Sequence, residues 1–174
     1  MASTIVLGGG VVGAAVAFFL CDRGETDVLV LERDQLGAGT TKGGLGGIRH
    51  QFVDELDIRM SQLATAFWRN FEDRTGSRHD FEERGYLFIA NTEVGVAELR
   101  LPMPLYHPIV GAVPGVAGLY IAAGFSGHGF IHAPATAQLV VEEMLDGRAR
   151  TIDIGDLSLE RFGAGRRPFK AAVL

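Results

Sequence analysis

The sequence predicts an α/β fold built on a Rossmann-like βαβ core with a parallel sheet, joined to remnants of an α+β region. Three observations carry that prediction. The apolar run Thr4-Ile5-Val6-Leu7 leads directly into Gly8-Gly9-Gly10-Val11-Val12-Gly13, the hexapeptide opens into the apolar stretch Ala14 to Leu20, and a second apolar run, Asp27 to Leu31, ends in Glu32. Gly8, Gly10 and Gly13 give the spacing G-x-G-x-x-G. The first glycine permits a tight turn, the second lets backbone approach a pyrophosphate, and the third lets helix pack closely on strand. Val11 and Val12 then begin a helix whose free N–H groups and positive dipole end face the phosphates. Glu32, about 20 residues beyond the fingerprint, stands where a ribose hydroxyl needs an acceptor.

The remaining elements follow in order. The first helix is expected from Val11 to Arg23, stopping at Gly24, with Cys21 as a small buried residue on it. Arg33 to Gly47 forms a loop too rich in glycine for regular structure, and its glycines point to close approach of backbone to a ligand. Lys42 gives it a superficial likeness to a P-loop, but no glycine precedes that lysine directly. Asp54 is the expected N-cap of a long helix with Leu56, Met60, Leu63, Phe67 and Phe71 on one stripe, Trp68 packing beside it and Gly76 ending it. Gly85 to Ala90 reads as a strand and Thr92 to Leu99 as a helix cut short by Pro102 and Pro104. A strand at Gly118 to Ala123 runs into a second glycine turn, Gly124 to Phe130, and Ala133-Pro134 opens a last helix through Met144.

Composition bounds the function. The chain of 174 residues is 47% hydrophobic and 21% charged, which describes one globular domain with a core. Its formal charge of -5 argues against a nucleic-acid or anionic-membrane surface. One cysteine excludes an internal disulfide. The absence of a basic stretch before the first apolar run, and of an uninterrupted membrane-length span, points to a cytoplasmic protein. His128 and His132 have a metal-like spacing, but Gly127 and Gly129 disfavour a continuous helix there, so no metal is expected. The acid pairs Asp54-Glu55, Glu82-Glu83 and Glu142-Glu143 are expected on solvated faces.

Four segments, IVLGGGVVGAAVAFFL, VLVLERDQLGAGTT, GGLGGIRHQF and YIAAGFSGHGFIHAPA, together resemble the flavin-dependent amine oxidoreductases of the D-amino acid oxidase superfamily, in the branch of sarcosine oxidase and the dye-linked proline dehydrogenase β-subunit. The resemblance implies a Rossmann-like FAD-binding domain. It sets Gly8, Gly10, Val11, Val12 and Gly13 on the pyrophosphate, Glu32 and Arg33 at the adenosine ribose, and Gly39, Thr40 and Thr41 along the cofactor. Gly46, Gly47 and Ile48 continue that cofactor path, and Gly124, Gly127, His128, Gly129 and Phe130 would lie against the flavin ring. Arg49 matches an arginine that in related oxidases grips the substrate carboxylate, for which its planar fork of donors is suited.

The departures matter too. Where relatives attach flavin through a histidine this chain has Lys42-Gly43, and no cysteine follows Cys21, so FAD is expected to be non-covalent. Ile131 stands where some sarcosine oxidases carry a lysine. The resemblance covers residues 1 to about 100 and about 105 to 162 and lacks the family's large central region. It implies a single FAD-binding domain, 1–174, assembled from 1–50 and 105–162, with a substrate-domain remnant at 51–104. The implied reaction is oxidation of an amino acid or secondary amine by hydride transfer to flavin N5. A homo-oligomer or a partner subunit is expected. The alternatives are a non-catalytic flavin-binding module and an NAD-binding Rossmann protein.

Overall fold

The computed structural model describes residues 3–52, 54–85, 89–94 and 107–163. Strand β1 (Thr4–Leu7) passes through the glycine turn into helix α1 (Val11–Asp22), and β2 (Val28–Leu31) returns parallel to β1, pairing Thr4 with Val28 and Leu7 with Leu31. This is the expected βαβ unit. Gly8 has φ 108°, a conformation that side chains rarely adopt, and its N–H donates to the Leu31 carbonyl at 2.8 Å. A Cβ on Gly13 would lie 1.9 Å from the Gly8 carbonyl oxygen, so the helix leaves the strand at a distance only glycine allows.

Helix α2 (Glu55–Arg69) begins at Asp54, whose carboxylate accepts from the Leu56 N–H at 2.9 Å. The expected continuous stripe to Phe71 breaks at Asn70, and a separate short helix, α3 (Phe71–Thr75), ends at Gly76 in the left-handed region. Most of the expected strand at 85–90 and helix at 92–99 lies outside the described residues. Strands β3 (Ile109–Ala112) and β4 (Tyr120–Ala123) pair antiparallel as a hairpin. Helix α4 (Gly129–Asp146) starts four residues before the expected Ala133. His128 supplies its N-cap position, and the His132 N–H donates to the His128 carbonyl at 3.1 Å. The glycines therefore lead into the helix and do not interrupt it. Pro134 sits in its second turn, and the helix closes at Gly147 in the left-handed region.

Helix α4 is the central member. Its Ala137 and Val141 pack with Val16, Phe19 and Leu20 of α1, while its Ala135, Leu139 and Val140 pack with Met60, Ala64 and Trp68 of α2, together with Val110 and Leu157. Three sequence expectations fail here. Cys21 is exposed, because α1 turns Val16, Phe19 and Leu20 toward α4 and the next residue points away. Asp54 is buried as the cap of α2, and Glu142 is buried because its carboxylate accepts from the Arg150 and Thr151 N–H groups at 2.7 and 2.9 Å. Local satisfaction of backbone donors by these two acids outweighs their exposure to water. Trp68 packs as expected, with Phe130 stacked on it at 5.2 Å. Among the described residues nothing covers one face of the parallel pair: Ile5, Leu7, Leu29 and Leu31 are all exposed, Leu7 at 79%.

Candidate flavin and substrate site

The first glycine turn is built with two partners distant in sequence. Glu32, at the end of β2, accepts from the Gly9 N–H at 2.8 Å and from the Asp34 N–H at 3.1 Å. These backbone donors hold its carboxyl below the ordinary range, so it is an anion at neutral pH. Each of its oxygens keeps a further lone pair for a hydroxyl. Thr41 folds back over the turn, and its hydroxyl accepts from the Val11 N–H at 2.9 Å. The loop is held further by the Gly37 N–H on the Gly9 carbonyl at 2.9 Å. Among the described residues the Val12 and Gly13 N–H groups have no acceptor, as befits the first turn of a helix open to an anion. Arg33, Gly39 and Thr40 are exposed on the rim of this loop.

Arg49 and His128 form the second group. Gly46, with φ 67°, and the half-buried Gly47 and Ile48 lead the chain inward, and Ile48 packs on the main core. Arg49 then reaches His128, with Nη2 to Nε2 at 3.2 Å, and its guanidinium lies 5.3 Å from the Phe52 ring centre. A guanidinium only donates, so His128 Nε2 accepts and its proton resides on Nδ1. Burial first, and the Arg49 charge second, lower the His128 pKa and keep the ring neutral. Among the described residues the buried Arg49 Nε has no hydrogen-bond partner. His128 stands between Gly127, with φ 89°, and Gly129, the first residue of α4, and Ser126 beside them has φ 47°. Phe130 stacks its ring on Trp68, with ring centres 5.2 Å apart.

A third group of side chains was invisible to sequence reasoning. Asp57 is buried in α2, with Oδ2 3.6 Å from His107 Nδ1 and Oδ1 3.9 Å from His132 Nδ1. Burial pushes its carboxyl up to about 6; His107 opposes that rise and Asp54 adds to it. Burial above all, with His128 beside it, pushes the His132 imidazole down to about 4. Ser61 Oγ lies 2.9 Å from His132 Nε2, and the Thr65 hydroxyl donates to the Ser61 carbonyl at 2.8 Å, which leaves His50 Nε2 as the donor to Thr65 at 2.7 Å. Carboxylates at positions 54 and 57, three apart at one helix start, were the available signal, but their partner His107 is fifty residues away in sequence.

Residues 3–101, more than half of the chain, match the family model described as DAO, FAD dependent oxidoreductase. The chain belongs to the FAD dependent oxidoreductase family. That assignment replaces the nicotinamide alternative. The 4-methylaminobutanoate oxidase (formaldehyde-forming) of Paenarthrobacter nicotinovorans is 32% identical over 96 residues, which cover 55% of this chain and 12% of that protein. Human mitochondrial dimethylglycine dehydrogenase is 32% identical over 104 residues, covering 59% of this chain and 12% of that protein. The chain thus matches 12% of the length of each of these relatives. The crystal structure of L-proline dehydrogenase from P. horikoshii shares the fold, with a TM-score of 0.74 over 95% of this chain and 98% of that chain at 15% identity.

The first turn fits the family cofactor. Its glycines make a cradle that a Cβ would fill, since a Cβ on Gly10 would meet Thr41 Oγ1 at 3.0 Å and one on Gly13 the Gly8 carbonyl. Two free helix N–H groups and an ionised acid stand at its rim, the donors and acceptor that a pyrophosphate and a ribose require. No helix among the described residues is long and apolar enough to cross a membrane.

Proposed function

We propose that this family member binds FAD non-covalently and, in the cytoplasm, supports oxidation of a small amino acid or secondary amine whose carboxylate is held by Arg49. The observation that carries this reading is the convergence of Arg49, whose buried Nε has no partner among the described residues, on His128 at the start of α4. The similar proteins are named for methylaminobutanoate, dimethylglycine and proline, each an amine that carries a carboxylate. FAD, when bound, supplies a hydride acceptor at flavin N5. The chain's own residues hold and orient. Val12 and Gly13 N–H groups meet the pyrophosphate, Glu32 accepts from the ribose, and Arg33, Thr40 and Gly39 border that end. Backbone N–H groups of the turn Gly124, Gly127 and Gly129, at the positive end of α4, offset negative charge on the ring. Neutral His128 accepts from Arg49 and so fixes its fork, and Arg49 anchors the substrate carboxylate.

The visible spectrum of purified protein, followed by anaerobic addition of proline and sarcosine, tests this directly. The expected protein is yellow, releases its flavin on denaturation, and bleaches with carboxylate-bearing amines only. A colourless protein that refuses added FAD overturns the reading. The second reading is a flavin-binding module without turnover, favoured by the sheet face of Ile5, Leu7, Leu29 and Leu31, which nothing covers among the described residues. It is distinguished by flavin that stays oxidised with every amine.

A further inference from the structure

Apart from the two glycine turns, the most demanding chemistry among the described residues is the buried cluster Asp54, Asp57 and His107. Asp54 and Asp57 are 5% and 4% exposed, yet among the described residues neither is paired with a lysine or arginine. Two buried carboxylates without a cation are costly unless something neutralises them. His107 faces them with its side chain only 4% exposed, and among the described residues neither of its ring nitrogens has a hydrogen-bond partner. His132 Nδ1, in a side chain 1% exposed, lies toward the other oxygen of Asp57.

The spacing is informative. At 3.6 Å the Asp57 Oδ2 to His107 Nδ1 separation is too long for a hydrogen bond. It is close to the edge of about 3.4 Å expected between two ligands of a tetrahedral ion bound at about 2.1 Å. One ligand atom each from Asp54, Asp57 and His107 lies within 4.8 Å of the others. His107 is also held in place: the Arg161 guanidinium donates to the His107 and Pro108 carbonyls, both at 2.7 Å. Asp54 is fixed as the cap of α2 and His132 by Ser61.

We infer that Asp54, Asp57 and His107 form a binding site for one divalent transition-metal ion of the zinc or manganese class, which pins the start of α2 to the chain entering β3. Two carboxylates and a neutral imidazole balance the charge of such an ion, and mixed oxygen and imidazole donors suit this class. His132 flanks the site and leaves a position for it or for water. The ion is structural: it ties segments far apart in sequence, so its binding energy adds to folding.

The test uses the whole chain after chelator treatment and dialysis, with Zn2+ and Co2+ alone as probes. One Co2+ per chain with a visible ligand-field band, displaced by Zn2+, and a thermal midpoint raised by Zn2+ are expected. Asp57→Asn and His107→Gln should each raise the dissociation constant by at least about tenfold, while His50→Gln should leave it unchanged. Absence of the band and of thermal stabilisation in the wild type overturns the site and makes the cluster a proton-sharing pair. Equal binding by the two ligand variants also overturns it. Should those variants fail to fold, X-ray absorption on the Zn2+-loaded wild type still decides: a shell of oxygens with imidazole nitrogen supports the site. A sulfur ligand, which would come from Cys21, refutes it.

Discussion

Glu32 shows how one side chain is committed before any ligand arrives. Its two oxygens accept from Gly9 and Asp34, so the carboxylate is aimed across the first turn with lone pairs to spare. Replacing it by alanine should weaken FAD binding by roughly tenfold, the size of losing one hydrogen-bonded acceptor. Flavin fluorescence titration measures it, and unchanged affinity would show that the ribose lies elsewhere. Arg49→Lys keeps the charge but loses the fork and the bond geometry to His128. KM for a carboxylate substrate should rise with FAD content unchanged; loss of flavin would instead put Arg49 in the cofactor site. His128 has a lowered pKa, with burial the larger cause and Arg49 the second. A depressed histidine stabilises the fold above its unfolded pKa and loses that contribution as pH falls through the folded pKa. The His128 contribution to stability should therefore fall as pH drops below the ordinary histidine pKa of about 6.5. His128→Gln should remove part of the decline in urea melts below that pH, and an identical profile would refute the assignment. The groups facing His128 are Arg49, Phe52 and His132.

At the scale of elements, α4 decides how the βαβ unit and α2 are joined, because it packs on both. Leu20 of α1 is completely buried against it, and Leu20→Ala should cost about 2–5 kcal/mol in chemical denaturation. Gly13→Ala is harsher in kind. Its methyl would meet backbone, the Gly8 carbonyl, so the turn itself must open. The two turns differ in how they were legible. The first is a fixed spacing of glycines after a strand, and it emerged where the spacing placed it. The second was expected to precede a helix at Ala133, but α4 starts at Gly129, since the backbone N–H of His132 finds the His128 carbonyl and extends the helix backwards.

At the scale of the whole molecule, Val6 and Val28 of the parallel pair pack against the cluster formed by α1 and α4, and among the described residues Ile5, Leu7, Leu29 and Leu31 are exposed on it. Parallel strands are ordinarily covered on both faces, and exposed apolar patches drive association. Light scattering should show mass rising with concentration, and Leu7→Lys with Leu31→Lys should abolish the rise. A chain that stays monomeric at all concentrations would refute this.

The sequence by itself determined the βαβ unit, the first turn, the acid after β2 and the cap at Asp54, because each depends on spacing along a few neighbouring residues. It also carried Arg49 and His128 as separate candidates. Only the tertiary structure put them 3.2 Å apart, brought Thr41 onto the start of α1, and gathered Asp54, Asp57 and His107 in the interior. It also turned Cys21 outward and buried Glu142. These outcomes depend on which helix faces meet across the core and which backbone donors an acid can reach, and neither is written in local spacing.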